Sequence, residues 1–543
     1  MGTSDVDYNP RVDSITTEPQ TAEARGLARN ASIIAVGNVA SRGLGFVREF
    51  VKAWLFGAGP QVDALNLALT IPLQIYELVT GGLVNSALVP AFSDYTAEER
   101  RAELWRLASV LLSLATAVIA ALTAGLVWFA PQVIGVFAFI GGLVGEQTSP
   151  EAIAAATSLV RITLPAVVFL SLSGILTGLL YALRRFTLPA FTSAVFNLSM
   201  VVVSLLLAAQ WGEAAMALGL LVGAVLQVAL QLPGLRDGLR FLRPAFTLRH
   251  PGLRRILRAY VPILVSLLVT QVSVYFGLSV AFGFENGLSW MNYATNLYQF
   301  PLGLVGVAIS AAILPTLARQ ARATTGEFKA TLVQGLKLVL VLIIPATVGM
   351  FLLAEPIVAL AFERGRFTPA DTASTALVLR WFLLGLSFAA VDLLLIAAFY
   401  ARRDTLTPSS VGVLSVVVYV VVVIIAQPWL GLLSLMLADS VKQLTHALVS
   451  GALLSRRIGG FGGTGLWPAL GRIVVAVAVM AAGVAATLAV VGALPFAARW
   501  LESFARVLLP GAAGVLIYFA VAARLDLPEV RLVLDLLRQR LKV

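Results

Sequence analysis

From position 31 onward the chain alternates long apolar runs with short turns that carry arginine, glycine or proline. A hydrocarbon core about 30 Å thick needs roughly 20 apolar residues per helical crossing, and these runs have that length. The pattern predicts about fourteen membrane-crossing helices. The first six run near 31–56, 63–91, 104–130, 152–183, 187–210 and 214–233; the next six near 254–283, 288–317, 329–353, 371–400, 407–426 and 430–454; two more near 468–494 and 504–523. The expected fold is therefore an all-α polytopic membrane protein.

Composition agrees with this reading. Of 543 residues 59% are hydrophobic and 12% charged, and the mean hydropathy is +0.91; soluble chains carry about 25% charged residues. The net charge of +11 does not point to nucleic acid, because the basic residues sit on alternate connections between apolar runs. One side holds Arg100, Arg101 and Arg106, Arg184 and Arg185, the run from Arg236 to Arg258, Arg402 and Arg403, Arg456 and Arg457, and the basic C-terminal tail; the other holds only Arg364, Arg366, Arg499 and Arg506. By the positive-inside rule both termini are expected in the cytoplasm. With no cysteine and two histidines, disulfides, thiolate metal sites and histidine metal clusters are excluded. Residues 1–30 are polar, lack an apolar signal core, and are expected to form a disordered cytoplasmic tail.

The chain also repeats itself. YALRRFTLP (Tyr181 to Pro189) matches FYARRDTLTP (Phe399 to Pro408), and NLALTIPLQ (Asn66 to Gln74) matches TNLYQFPLG (Thr295 to Gly303). The matches are offset by 402 − 184 = 218 and 301 − 72 = 229 residues, which fits two parallel six-helix lobes, 31–240 and 241–455, followed by two extra helices and a basic tail over 456–543. Repeats of this kind flank a central substrate site.

Charges interrupt the first span, SRGLGFVREFVKAW (Ser41 to Trp54). At about 100° per residue, Asn38, Ser41, Arg42, Gly45, Arg48, Glu49 and Lys52 share one arc, and Phe46, Val47, Phe50, Val51 and Trp54 take the other. A charge at bilayer depth costs at least ~2.5 kcal/mol, so these residues should face protein or water. Two readings stand: a buried ion pair of Arg48 or Lys52 with Glu49 or Asp63, or a cationic cavity whose arginine forks suit phosphate. Elsewhere Glu77, Arg161 and Asp392 lie within spans. Asp439, Lys442 and His446 share one helix face, explained either by a local Asp439–Lys442 salt bridge or by ion coupling. No nucleotide-binding, metalloprotease or nucleophile-elbow motif occurs, so an enzyme is not expected and no cofactor or metal is predicted.

Several of these stretches together resemble the MurJ/MviN family of lipid II flippases, within the multidrug/oligosaccharidyl-lipid/polysaccharide exporter superfamily: SRGLGFVREF, LFGAGPQVDA (Leu55 to Ala64), RRFTLPAF, FPLGLVGVAISAAILPTLA (Phe300 to Ala318), FERGRFTPADT (Phe362 to Thr372) and FYARRDTLTP. The resemblance implies two lobes alternating around a cationic cavity and a groove at the last two helices for a polyprenyl tail. It also implies a cargo of undecaprenyl-diphosphate-linked peptidoglycan precursor, moved across the bilayer by membrane potential or an ion gradient. Through it Arg42, Arg48 and Asp63 correspond to the family's cavity residues; the reading of the residues themselves adds Lys52, Glu49, Asn38 and Arg161 to the candidate cavity and Asp392, Asp439 and Lys442 as coupling candidates. In two cavity places where the family usually carries arginine, this chain has Tyr76 and Asn296. The alternatives are a divergent paralogue with another polyprenyl-linked or amphiphilic cargo, and a transport-inactive scaffold that recruits cell-wall synthesis proteins.

Overall fold

The computed structural model describes residues 17–80, 83–144, 147–321, 325–496 and 498–531. Residues 1–16 of the expected disordered tail and 532–543 of the basic tail lie outside the described residues. The first half contains α1 (Thr17–Phe56), α2 (Pro60–Thr80), α3 (Val89–Ser93), α4 (Arg101–Trp128), α5 (Ala130–Val144), α6 (Pro150–Thr163), α7 (Ala166–Ala182), α8 (Thr187–Ala190), α9 (Thr192–Trp211) and α10 (Ala214–Gln231). The second contains α11 (Pro251–Gly283), α12 (Gly287–Pro301), α13 (Ala308–Gln320), α14 (Thr325–Leu352), α15 (Ala354–Phe362), α16 (Pro369–Ala401), α17 (Leu406–Leu430), α18 (Leu433–Ile458), α19 (Leu466–Gly492) and α20 (Arg499–Arg524). Among the described residues there is no strand, and eleven helical segments are long and apolar enough to cross a membrane. α1 and α18 are as long but more polar, and α11 contains a further apolar segment, Gln271–Gly283, so the expected count of about fourteen depends on these three.

Several boundaries differ from the expected ones. α1 begins at Thr17, not at position 31; its early residues are rich in Glu, Gln, Ala, Arg and Leu, all good helix formers, so residues 17–30 are helix rather than disordered tail. The fourth span breaks into α6 and α7 at Leu164–Pro165, where proline lacks the N–H that would continue the ladder. The second and eighth spans each contain a π-helical turn, Val84–Leu88 and Leu302–Val307, and such turns bend a helix without ending it. α5 and α15 extend into stretches expected to be loops, because their apolar residues find partners: α5 packs on α11 and α15 on α16 and α20.

The repeat is visible in the backbone. Arg184 and Arg403 both take positive φ, 59° and 60°, at the turns after α7 and α16; Gly212 and Gly431 do so at 54° and 52° after α9 and α17. Both pairs have the same offset, 403 − 184 = 431 − 212 = 219. The structural register thus pairs Arg184 with Arg403, one position from the match suggested by the two arginine doublets.

Within the first half α1 packs on α9, α2 on α6, and α10 on α9 and α7; within the second α16 packs on α18, α14 and α12, and α17 on α18. α19 and α20 pair with each other and lean on α14 and α15, where the Tyr518 hydroxyl donates to the Val341 carbonyl at 2.7 Å. Lipid offers no hydrophobic drive for helix association, so close approach must supply the packing. Gly219 and Gly223 of α10 provide it: a methyl on Gly219 would sit 2.9 Å from Met200 Cα, and one on Gly223 3.0 Å from the Phe196 carbonyl oxygen, both on α9.

Candidate functional site

The charged stretch of α1 forms one connected network. Glu49 is the hub: its Oε1 accepts from Arg48 Nε at 3.1 Å and Nη2 at 2.6 Å, and its Oε2 pairs with Lys52 Nζ at 2.5 Å. Arg48 Nη1 also donates to Asn197 Oδ1 of α9 at 2.9 Å. Lys52 is 1% exposed and Glu49 3%, which is tolerable because each charge is paired and hydrogen-bonded. Lys52 donates to Asn66 Oδ1 of α2 at 2.8 Å and to Asn292 Oδ1 of α12 at 2.7 Å, and lies 4.9 Å from the Tyr293 ring centre, a cation–π distance.

Lys52 therefore joins the two halves of the chain, and more contacts close the same end of the bundle. Asp63 Oδ1, near the start of α2, accepts from the Ser289 backbone N–H at 2.7 Å and from Ser289 Oγ at 2.5 Å. A carboxylate on the first-turn amides of α12 also complements that helix's dipole. Tyr293 donates to the Gly57 carbonyl at 2.8 Å, and the Arg366 N–H to the Trp54 carbonyl at 3.1 Å. Gly57 and Gly365 make that approach possible: both have positive φ, 73° and 61°, and a methyl on Gly365 would lie 2.2 Å from the Trp54 carbonyl oxygen. On α16, Asp371 caps its own helix through Thr368 and accepts from Trp290 Nε1 at 3.2 Å.

The remaining expected residues divide. Arg42 and Asn38 are exposed, about three and four turns from Lys52 of the closed end on the same helix. Arg42 makes no hydrogen bond or ion pair among the described residues, yet a methyl on Gly303 would meet its Nη1 at 2.8 Å, so the guanidinium lies against the π-helical turn of the other half. The polar arc of α1 is thus buried over Glu49 and Lys52 and open over Asn38 and Arg42. On the apolar arc Phe46, Val47 and Trp54 are exposed and Val51 is buried, so part of that face packs against adjacent helices.

Asn296 belongs to the network at one remove, donating to the Asn292 carbonyl at 2.9 Å. Tyr76 is half-buried with its ring against Gly174 of α7, and Glu77 is exposed. Arg161 is exposed and shares no hydrogen bond or ion pair with the α1 network among the described residues, so it does not supply charge to it. Of the coupling candidates, Asp439 and Lys442 form the local salt bridge at 2.5 Å, with Lys442 Nζ 5.2 Å from the Tyr419 ring centre. Asp392 is instead bound to His446 at 2.5 Å, a pairing between α16 and α18 that spacing along one helix could not reveal. Asn66, Asn197, Ser289 and Asn292 are further site residues missed by reading charges alone; their signal was amide and hydroxyl side chains inside apolar spans. Among the described residues no group of three or more His, Asp or Glu is placed to hold a metal ion.

Comparison with known proteins agrees with this architecture. The family profile described as Lipid II flippase MurJ matches residues 52–497. A lipid II flippase MurJ of Burkholderia cenocepacia is 31% identical over 69% of this chain and 73% of its own length. A probable lipid II flippase MurJ of Rhizobium meliloti is 30% identical over 91% and 93%. Among solved structures, a lipid II flippase MurJ in an inward closed conformation superposes with TM-score 0.74 at 22% identity, covering 90% of this chain and 98% of that one. A multidrug-resistance MATE transporter in an inward-facing conformation gives 0.62 at 17% identity, covering 77% and 94%. These relatives are flippases and transporters rather than enzymes. With its profile match running from Lys52, near the end of the charged first helix, through the nineteenth, the chain belongs to the lipid II flippase MurJ family.

Proposed function

We propose that the protein flips undecaprenyl-diphosphate-linked peptidoglycan precursor, lipid II, from the inner to the outer leaflet of the bacterial inner membrane, with both termini in the cytoplasm. The observation that carries this reading is the polar face of α1, closed at one end and open at the other. Its exposed Arg42 and half-buried Arg48 lie where a diphosphate entering from the cytoplasmic side would meet them. The Arg48 fork already grips one carboxylate oxygen of Glu49, a group that holds the place a phosphate oxygen would take. Binding the diphosphate there frees Glu49 to remain with Lys52. Opening the closed end then breaks the Lys52–Asn292, Asp63–Ser289, Tyr293–Gly57 and Arg366–Trp54 bonds, each contributing about 0.5–3 kcal/mol. Cargo binding and a membrane potential or ion gradient supply that difference.

Expression in cells depleted of their own MurJ tests this. Growth is the expected result, and Arg42→Ala abolishes it; absence of rescue despite good membrane insertion argues against lipid II. A second reading, another polyprenyl-linked cargo, is favoured by one observation: neither Tyr76, packed against Gly174, nor Asn296, bonded to its own helix, brings positive charge. Rescue that appears only after Tyr76→Arg with Asn296→Arg would assign the difference to cavity charge. A scaffold for cell-wall synthesis proteins would keep its cellular role in Arg42→Ala.

A further inference from the structure

The second half of the chain contains a titratable site that the α1 network does not use. His446 of α18 has its Nδ1 2.5 Å from Asp392 Oδ1 of α16 and its Nε2 3.3 Å from the Pro408 carbonyl oxygen in the first turn of α17. Asp392 is 6% exposed, and the two side chains keep 12% and 9% of their surface, enough for water to reach them. Both ring nitrogens therefore face acceptors. A neutral imidazole carries one N–H and can satisfy one of them; the imidazolium, with two donors, satisfies both. Ser450 Oγ lies 3.4 Å from Nδ1 and can act as donor or acceptor, so it does not change this count. Further charges on the packed elements are the Asp439–Lys442 pair on α18 and, at the helix ends, the Asp404–Arg457 pair. Each is internally compensated, leaving Asp392 as the carboxylate that answers the ring.

We propose that Asp392 and His446 form a proton-binding site that couples a proton to the rearrangement of the second lobe. With the proton bound, one ring holds α16, α17 and α18 together. When it leaves, it goes from Nε2 to water, Nδ1–H stays on Asp392, and the Pro408 carbonyl loses its donor, releasing the start of α17 from α18. α16 carries the change onward: it runs without an internal proline from Asp392 back to Asp371, about 31 Å along one helix, where Asp371 holds Trp290 beside the closed end. The coupling role rests on the flippase reading above; the proton site itself does not.

Two experiments on the full-length protein separate them. The chain has two histidines, His250 and His446, so nitrogen-15 histidine NMR in lipid nanodiscs shows two rings, and His446→Gln assigns them. Between about pH 5 and pH 9, spanning the ordinary imidazole range, His446 should pass from two N–H groups to one, losing the Nε2 proton; Asp392→Asn should remove the preference for keeping Nδ1–H. A ring that stays neutral throughout, or that loses the Nδ1 proton instead, overturns the site. In proteoliposomes carrying undecaprenyl-diphosphate-linked disaccharide pentapeptide, one proton per cycle biases transport up to about tenfold per pH unit of imposed gradient. The unmodified protein should show that response, and His446→Gln, which keeps hydrogen-bonding capacity without titrating, should flip at a rate that ignores the gradient. The same gradient response in both overturns the coupling. Absence of flipping by the unmodified protein with the expected NMR behaviour sinks the flippase reading and supports the proton site alone.

Discussion

Replacing Asn292 with alanine isolates what holds the two halves shut. Asn292 Oδ1 is the acceptor that Lys52 reaches across the interface, at 2.7 Å, while Glu49 at 2.5 Å and Asn66 at 2.8 Å keep the ammonium satisfied within its own half. The substitution therefore leaves no unpaired buried charge, and folding of the first half should survive. What is lost is one hydrogen bond to a charged donor, about 1.5–3 kcal/mol. At about 1.4 kcal/mol per tenfold, that is a factor of about 10 to 150 in the ratio of closed to open ends. The absence of cysteine makes the measurement clean: spin labels at Gln61→Cys and Glu285→Cys, both exposed beside the Asp63–Ser289 contact, report the separation by pulsed electron resonance. A short distance should dominate with Asn292 present, and a longer population should emerge with alanine; Asn292→Asp, which keeps the acceptor, should restore the short one. Distance distributions left unchanged by Asn292→Ala would falsify the idea that Lys52 latches the two halves.

Other expectations follow from the same geometry. Gly365→Ala meets both a positive φ of 61° and the Trp54 carbonyl, so it should destabilise the closed end by about 1–3 kcal/mol, read as a lower unfolding midpoint and weaker protection of the 363–368 turn in hydrogen exchange. Gly219→Leu forces α10 away from Met200 of α9; overpacking of about 1–3 kcal/mol should lower thermal stability in detergent, while Gly135→Leu, which meets open space, should not. Asp404, in the turn between α16 and α17, is held down to about 2 by the Thr407 hydroxyl and amide, with Arg457 adding to them. Because its folded value lies below the unfolded one, its stabilisation is present above about pH 4 and fades as pH falls toward 2. Asp404→Asn should accordingly cost about 1 kcal/mol, a screened surface value, at pH 7, and the gap between the two unfolding midpoints should close on acidification.

Much of this protein could be read without coordinates. Apolar runs of membrane-crossing length and arginines on alternate turns determined an all-α polytopic chain, since lipid tolerates only self-satisfied backbone. The doubled RR-x-T-L turn announced the repeat, and charges on one arc of α1 marked the wall of a site, because no other placement of Arg48, Glu49 and Lys52 is affordable in lipid. What spacing along one helix could not reach were the partners across helices. Lys52 with Asn292, Asp63 with Ser289 and Asp392 with His446 lie 240, 226 and 54 residues apart; which amide, hydroxyl or ring meets which charge depends on how whole helices rotate and slide past one another. The helix breaks were legible only in part. Pro165 and Pro301 coincide with them, whereas Pro72 and Pro345 sit inside continuous helices, since packing decides whether a missing hydrogen bond becomes a bend. The sequence by itself thus determined where charge enters the membrane, and the tertiary structure decided that Glu49 pairs with both Arg48 and Lys52, leaving Arg42 open and the far end locked.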